Sequence, residues 1–155
     1  MIFEELFDRV LRAFTATEVD FMIVGGFAVN YHGYCRNTSD LDIWVKSDSI
    51  NQANICKALH LLNYNEEAIT QVADLDVSKH FLFHIEDGPN DVEVFNFITG
   101  VSYETASNNK VVFKFGEGIF VNFISLNDLL VNKMLSGRNK DKIDVEELQK
   151  IEKLK

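Results

Sequence analysis

The sequence predicts an α/β protein, a mixed sheet of about five or six strands with helices packed on it. Three observations carry this reading. Apolar residues recur at helical spacing near both ends of the chain. Short apolar runs at 21–24 and 41–46 lie on either side of a Gly-Gly pair and a polar stretch. Two further pairs of alternating runs surround turn-forming residues. At 155 residues the chain is expected to fold as one domain over 1–155, with a helical C-terminal segment at 125–155.

Phe3, Leu6, Phe7, Val10, Leu11 and Phe14 form a stripe over residues 2–14, with Glu and Arg opposite, as a packing helix requires. Glu18-Val19-Asp20 leads into a strand at 21–24, which ends in Gly25-Gly26, and a helix is expected to begin within Phe27–Tyr31. A second strand covers 41–46. Ser47–Ser49 then offers N-caps for a helix over 50–62, with Ile50, Ala53, Ala58, Leu59 and Leu62 inward.

Lys79–Ile85 and Val92–Ile98 read as a hairpin joined by Glu86-Asp87-Gly88-Pro89-Asn90-Asp91, a run of turn formers. Tyr103–Asn108 reads as a short helical turn. Val111–Phe115 and Ile119–Ile124 alternate around Gly116-Glu117-Gly118, a second hairpin. Ser125, with Asp128 at N3, is a weak form of the capping box for a helix over 126–135. A last helix spans 140–151, with Ile143, Leu148 and Ile151 inward.

The net charge of −9 argues against a broad electrostatic grip on long nucleic acid. It is unevenly spread. Residues 133–155 hold seven Lys/Arg and five Asp/Glu, whereas the rest of the chain holds eight and nineteen. The tail is therefore the part inclined to meet phosphate. No apolar run of about eighteen residues and no basic-then-apolar leader occurs, so neither a membrane span nor secretion is expected. Cys35 and Cys56 lack metal-type spacing and are expected as free thiols in a reducing cytoplasm. His32, His60, His80 and His84 are scattered and expected to be structural. A P-loop and a Gly-x-Gly-x-x-Gly fingerprint are both absent.

The chemistry concentrates at Asp40-Leu41-Asp42-Ile43. Two aspartates at i and i+2 on a strand point to one side, while Leu41, Ile43 and Val45 face the other. Carboxylates that close repel unless a cation lies between them, and an oxygen-only ligand set suits Mg²⁺, with Mn²⁺ as the alternative. Gly25 and Gly26 permit a tight turn and close approach of backbone to a ligand. Glu93, inside the apolar run Val92–Phe95, is costly to bury without a partner and is the candidate third carboxylate, with Asp91 as its rival. The charges of Lys133, Arg138, Lys140, Asp141 and Asp144 read by themselves as a solvated helix end.

The order hydrophobic-Gly-Gly, a gap, then Asp-hydrophobic-Asp-hydrophobic resembles the signature of the nucleotidyltransferase superfamily that includes DNA polymerase beta. Glu93 fits that superfamily's later hydrophobic-acid-hydrophobic strand, although Asp is commoner there in close relatives. The segment LNDLLVNKMLSGRNKDKIDVEEL is similar to the C-terminal part of small bacterial nucleotidyltransferases, including abortive-infection type toxins. The resemblance spans roughly residues 20–150. It implies a nucleotidyltransferase fold with a mostly antiparallel sheet, and transfer of a nucleotidyl group from a nucleoside triphosphate to an acceptor hydroxyl with release of pyrophosphate.

On that resemblance Asp40, Asp42 and Glu93 are the catalytic and metal-holding acids. Gly25, Gly26, Arg36, Thr38 and Lys133 bind nucleotide, Lys133 as a point charge on the triphosphate and Arg36 and Thr38 bracing the Asp40 turn or touching phosphate. The acceptor is an RNA such as tRNA, a protein or a small molecule, and a partner subunit or a homodimer is expected. Two other readings stay open: a nucleotide-holding module without turnover, and a toxin–antitoxin component acting through a protein partner.

Overall fold

The computed structural model describes residues 3–155; among them, seven α-helices and six strands form one mixed sheet. In chain order these are α1 (Glu5–Ala16), β1 (Phe21–Val24), α2 (Gly25–Tyr31), β2 (Asp40–Val45), α3 (Ser49–Leu61), α4 (Glu66–Ala73), β3 (Leu82–Asp87) and β4 (Asn90–Phe95). They continue with α5 (Tyr103–Asn109), β5 (Val111–Lys114), β6 (Phe120–Phe123), α6 (Leu126–Ser136) and α7 (Asn139–Lys153). The sheet order is β3-β4-β2-β1-β6-β5. β1–β2, β3–β4 and β5–β6 run antiparallel, while β2–β4 and β1–β6 run parallel. Among the described residues no helix is long and apolar enough to cross a membrane, and Cys35 and Cys56 are free thiols.

Strand alternation divides the sheet into two faces. Leu41, Ile43 and Val45 of β2 and Val92 and Val94 of β4 are buried in the core with the α1 stripe, from Phe3 through Phe14. α1 packs against α3, and α3 against α4. The opposite face carries Asp40 and Asp42 of β2 and Asp91, Glu93 and Phe95 of β4. There, α6 and α7 pack together beside α2. The expected start of the first helix at residue 2 lies outside the described residues; the helix runs from Glu5.

Several elements differ from expectation for identifiable reasons. α2 begins directly at Gly25, leaving no separate turn between β1 and the helix. The β3–β4 hairpin reaches Asp87 and Asn90 rather than stopping at Ile85 and Val92. Its polar tip remains in the ladder because the end of an edge hairpin solvates those side chains. At the other end, residues 79–81 leave the strand because the Asn96 side chain holds them, accepting from Phe81 N at 2.8 Å and donating to Lys79 O at 2.8 Å. Helix α4 is an element beyond those the sequence pattern predicts. Its signals are the Asn65 side chain, which accepts from Ala68 N, and Ile69 and Val72 buried three residues apart.

The inward face of α3 is rotated from the expected one. Ile50 is 76% exposed and Ala53 is exposed too, while Asn51, Ile55, Ala58, Leu59 and Leu62 are buried. Asn51 wins the inward place through hydrogen bonds. Its Oδ1 accepts from Asp20 N, and its Nδ2 donates to Asp20 O and Lys46 O, tying the helix to the ends of β1 and β2. Similarly, Ile143 of α7 is 52% exposed, and Asp141, Asp144 and Leu148 face inward.

Candidate functional site

Register brings the acids together. In the parallel β2–β4 pair Asp42 lies beside Glu93, and Asp40 beside Asp91. On the other side of β2, Val24 pairs with Asp42, so Gly25 follows immediately against that carboxylate. Asp42 and Glu93 floor a cleft of about 310 Å³, walled by Gly25, Phe95, Thr99, Lys133 and Arg138. Oxygens of Asp40, Asp91 and Glu93 lie within 4.8 Å of one another, so the rival third acid, Asp91, joins the cluster rather than replacing Glu93.

The electrostatics are unrelieved. Burial first, and then the neighbouring Glu93 carboxylate, which also hydrogen-bonds it, push the Asp42 pKa up to about 7; Asp40 adds to this and Lys133 opposes it. On the exposed edge, His84 pairs with Glu93 across the β3–β4 ladder, and its Nδ1 meets the Asp91 carboxylate at 2.9 Å. That hydrogen bond raises the His84 pKa.

Gly25 is required by both backbone and space. Its φ is +65°, and a Cβ there would overlap the Asp42 carboxylate. Gly25→Ala should therefore displace Asp42 and cost on the order of 1–3 kcal/mol, measured by urea unfolding; a variant as stable as the parent with the same pH dependence would refute this. Gly26 has a different role. It is buried under the 36–38 loop, where a Cβ would strike the Thr38 side chain.

Lys133, Asp141 and Asp144 form a buried network rather than a solvated helix end, whereas Arg138 and Lys140 are exposed. Lys133 is 4% exposed, and its Nζ donates to Asp141 at 3.0 Å and lies 3.1 Å from Asp144. Arg36 makes a two-pronged contact with Asp144, Nε at 2.8 Å and Nη2 at 3.0 Å, and so fastens the loop before β2 to α7. Arg138 Nε donates to Asp141 at 2.8 Å, and Ser136 Oγ donates to the same carboxylate. Burial alone would raise the Asp141 pKa, but the bonds from Arg138, Ser136 and Lys133 hold it well below the usual carboxylate range. Six residues from two distant parts of the sequence, Arg36 and the 133–144 stretch, thus fix the cleft wall.

Lys133 reaches the cleft but is committed to two carboxylates. Arg36 braces the loop that leads to Asp40, and the Thr38 side chain lies against Gly26. Arg138, whose side chain is largely exposed, is a further cation on the cleft wall, beyond those the sequence pattern assigns to the site. The available signal was its place three residues before Asp141 at the start of α7. A larger hollow of about 490 Å³ lies elsewhere, beside Asp20 and Tyr103. The half-buried Tyr103 hydroxyl there is already bound, since it donates to Asp20 at 2.6 Å. No family model matches the chain, and no curated protein matches it.

Proposed function

We propose that the chain is a metal-dependent nucleotidyltransferase acting in the cytoplasm, moving a nucleoside monophosphate from a nucleoside triphosphate to an acceptor hydroxyl. The observation that carries this reading is the side-by-side placement of Asp42 and Glu93, with Asp40 and Asp91 one step along, at the foot of a cleft rimmed by cations. The donor set fits Mg²⁺ or Mn²⁺, because it is all oxygen and because burial and the adjacent Glu93 carboxylate disfavour charge on Asp42 when no cation is bound. Asp40 and Glu93, whose oxygens lie within 4.8 Å of each other and of Asp91, would hold the ion, with Asp42 joining them from beside Glu93. When bound there, it would lower the pKa of the acceptor hydroxyl and offset triphosphate charge.

The protein's own groups have distinct tasks in this reading. Arg138, held by Asp141, meets the triphosphate from the cleft wall, and Lys133 contributes positive potential from behind. Gly25 leaves the space in which Asp42 can reach the cleft, while Gly26, Arg36 and Thr38 keep the loop before Asp40 in place. The acceptor oxygen forms a bond to the α-phosphorus, the bond from that phosphorus to the bridging oxygen breaks, and pyrophosphate leaves. Glu93 takes the acceptor proton.

A nucleoside triphosphate with Mg²⁺ should raise thermal stability far more than either alone, by roughly 2.7 kcal/mol at a hundred times the dissociation constant. Calorimetric or dye-monitored melting tests this. No shift with any of the four common triphosphates at millimolar concentration would reject the reading.

A further inference from the structure

Beyond Glu93 the same face continues into a groove of about 420 Å³ lined by His80, Phe81, Leu82, Phe95 and Phe97. Phe95 lines both this groove and the acid cleft, so the two are adjacent. The groove is apolar yet open: Leu82 is 53% and Phe97 49% exposed. His80 stacks on Phe97 with centroids 3.8 Å apart and planes 20° apart, forming a flat ring surface. It is also built in advance. Asn96, between the two phenylalanines, ties down segment 77–81 through Phe81 N, Lys79 O and Ser47 Oγ, and Ser47 in turn donates to Val77 O at 2.7 Å. A ring surface already in place need not be ordered at binding, and exposed aromatics beside a polar cleft mark a ligand groove.

Sheet order decides what the groove receives. Gly25 follows β1, Asp42 is on β2, Glu93 on β4 and Leu82 on β3, so the groove lies across Glu93 from Gly25. Resting on the nucleotidyl-transfer reading, we infer that this groove is the acceptor subsite and that the acceptor is a nucleoside end. Its base stacks on Phe95 and Phe97, and its hydroxyl projects toward Glu93. Stacking of this kind tolerates any base, because every base has a π-face.

The test titrates the full chain with 2-aminopurine riboside, whose fluorescence is quenched on stacking, in the presence and absence of Mg²⁺ and ATP. The parent should bind the riboside with ATP present. Phe97→Ala should weaken riboside binding about tenfold with an unchanged melting temperature and unchanged Mg²⁺–ATP binding, and Phe97→Tyr should restore it. No quenching at millimolar riboside, or equal binding by Phe97→Ala, would overturn the inference. Competitive displacement of riboside by Mg²⁺–ATP would also overturn it, by assigning the groove to the donor base. If the riboside binds through Phe97 while no triphosphate binds at all, the nucleotidyl-transfer reading falls and a base-binding groove stands.

Discussion

Asp42→Asn is expected to abolish metal-dependent nucleotide binding while making the metal-free protein more stable at neutral pH. The sign follows from the proton. In the folded chain Asp42 keeps its proton up to about pH 7, whereas in the unfolded chain it releases it near its ordinary value of 3.8. The folded state therefore binds more protons between these values. Its advantage from this group is complete below about pH 4 and is lost as pH rises through 7. Asn resembles the protonated acid, so the variant should escape the loss and gain on the order of 1–3 kcal/mol at pH 8 in EDTA.

Urea unfolding of parent and variant from pH 4 to pH 8 measures this directly. The parent should lose stability across the interval, and the variant should be flatter. Adding Mg²⁺ with a triphosphate should recover the parent's loss at high pH and leave the variant unmoved. If the variant is instead less stable than the parent throughout, Asp42 is a structural acceptor and not an uncompensated charge.

Lys133→Met should be the most damaging single change, about 3–5 kcal/mol, because it leaves Asp141 and Asp144 buried with one cation fewer. On a solvated helix end Lys133 would be dispensable for the fold; the buried ion pairs make it part of the scaffold instead. Pairing the change with Asp141→Asn should recover part of the loss, since the uncompensated charge is then removed. A double-mutant cycle by chemical unfolding tests the coupling. Additivity of the two changes, or a loss below about 1 kcal/mol for Lys133→Met, would show that the pairs are solvent-screened. Arg138→Gln leaves the buried Asp141 still bound by Lys133 and Ser136, so it should cost less stability than Lys133→Met and act mainly on triphosphate affinity. The two cations are thereby separated into a scaffold role and a ligand role.

The sequence by itself determined the strand–Gly-Gly–strand unit, the two-sided character of Asp40–Val45, the packing stripe of α1 and the second hairpin. Each depends on local periodicity or turn chemistry, which a short window records. It also singled out Glu93, since an acid flanked by Val92 and Val94 has one side of a strand to itself. What tertiary structure decided was pairing. The parallel β2–β4 register sets Asp42 against Glu93 across a long separation in the chain, and no local pattern encodes that register.

Pairing also explains the misjudged faces. Asn51 and Asp144 turn inward, against hydrophobic periodicity, because their partners, the backbone at Asp20 and Lys46 and the side chains of Arg36 and Lys133, come from elsewhere in the chain. A polar group is buried only where distant partners satisfy it, so its burial is a property of the assembled fold.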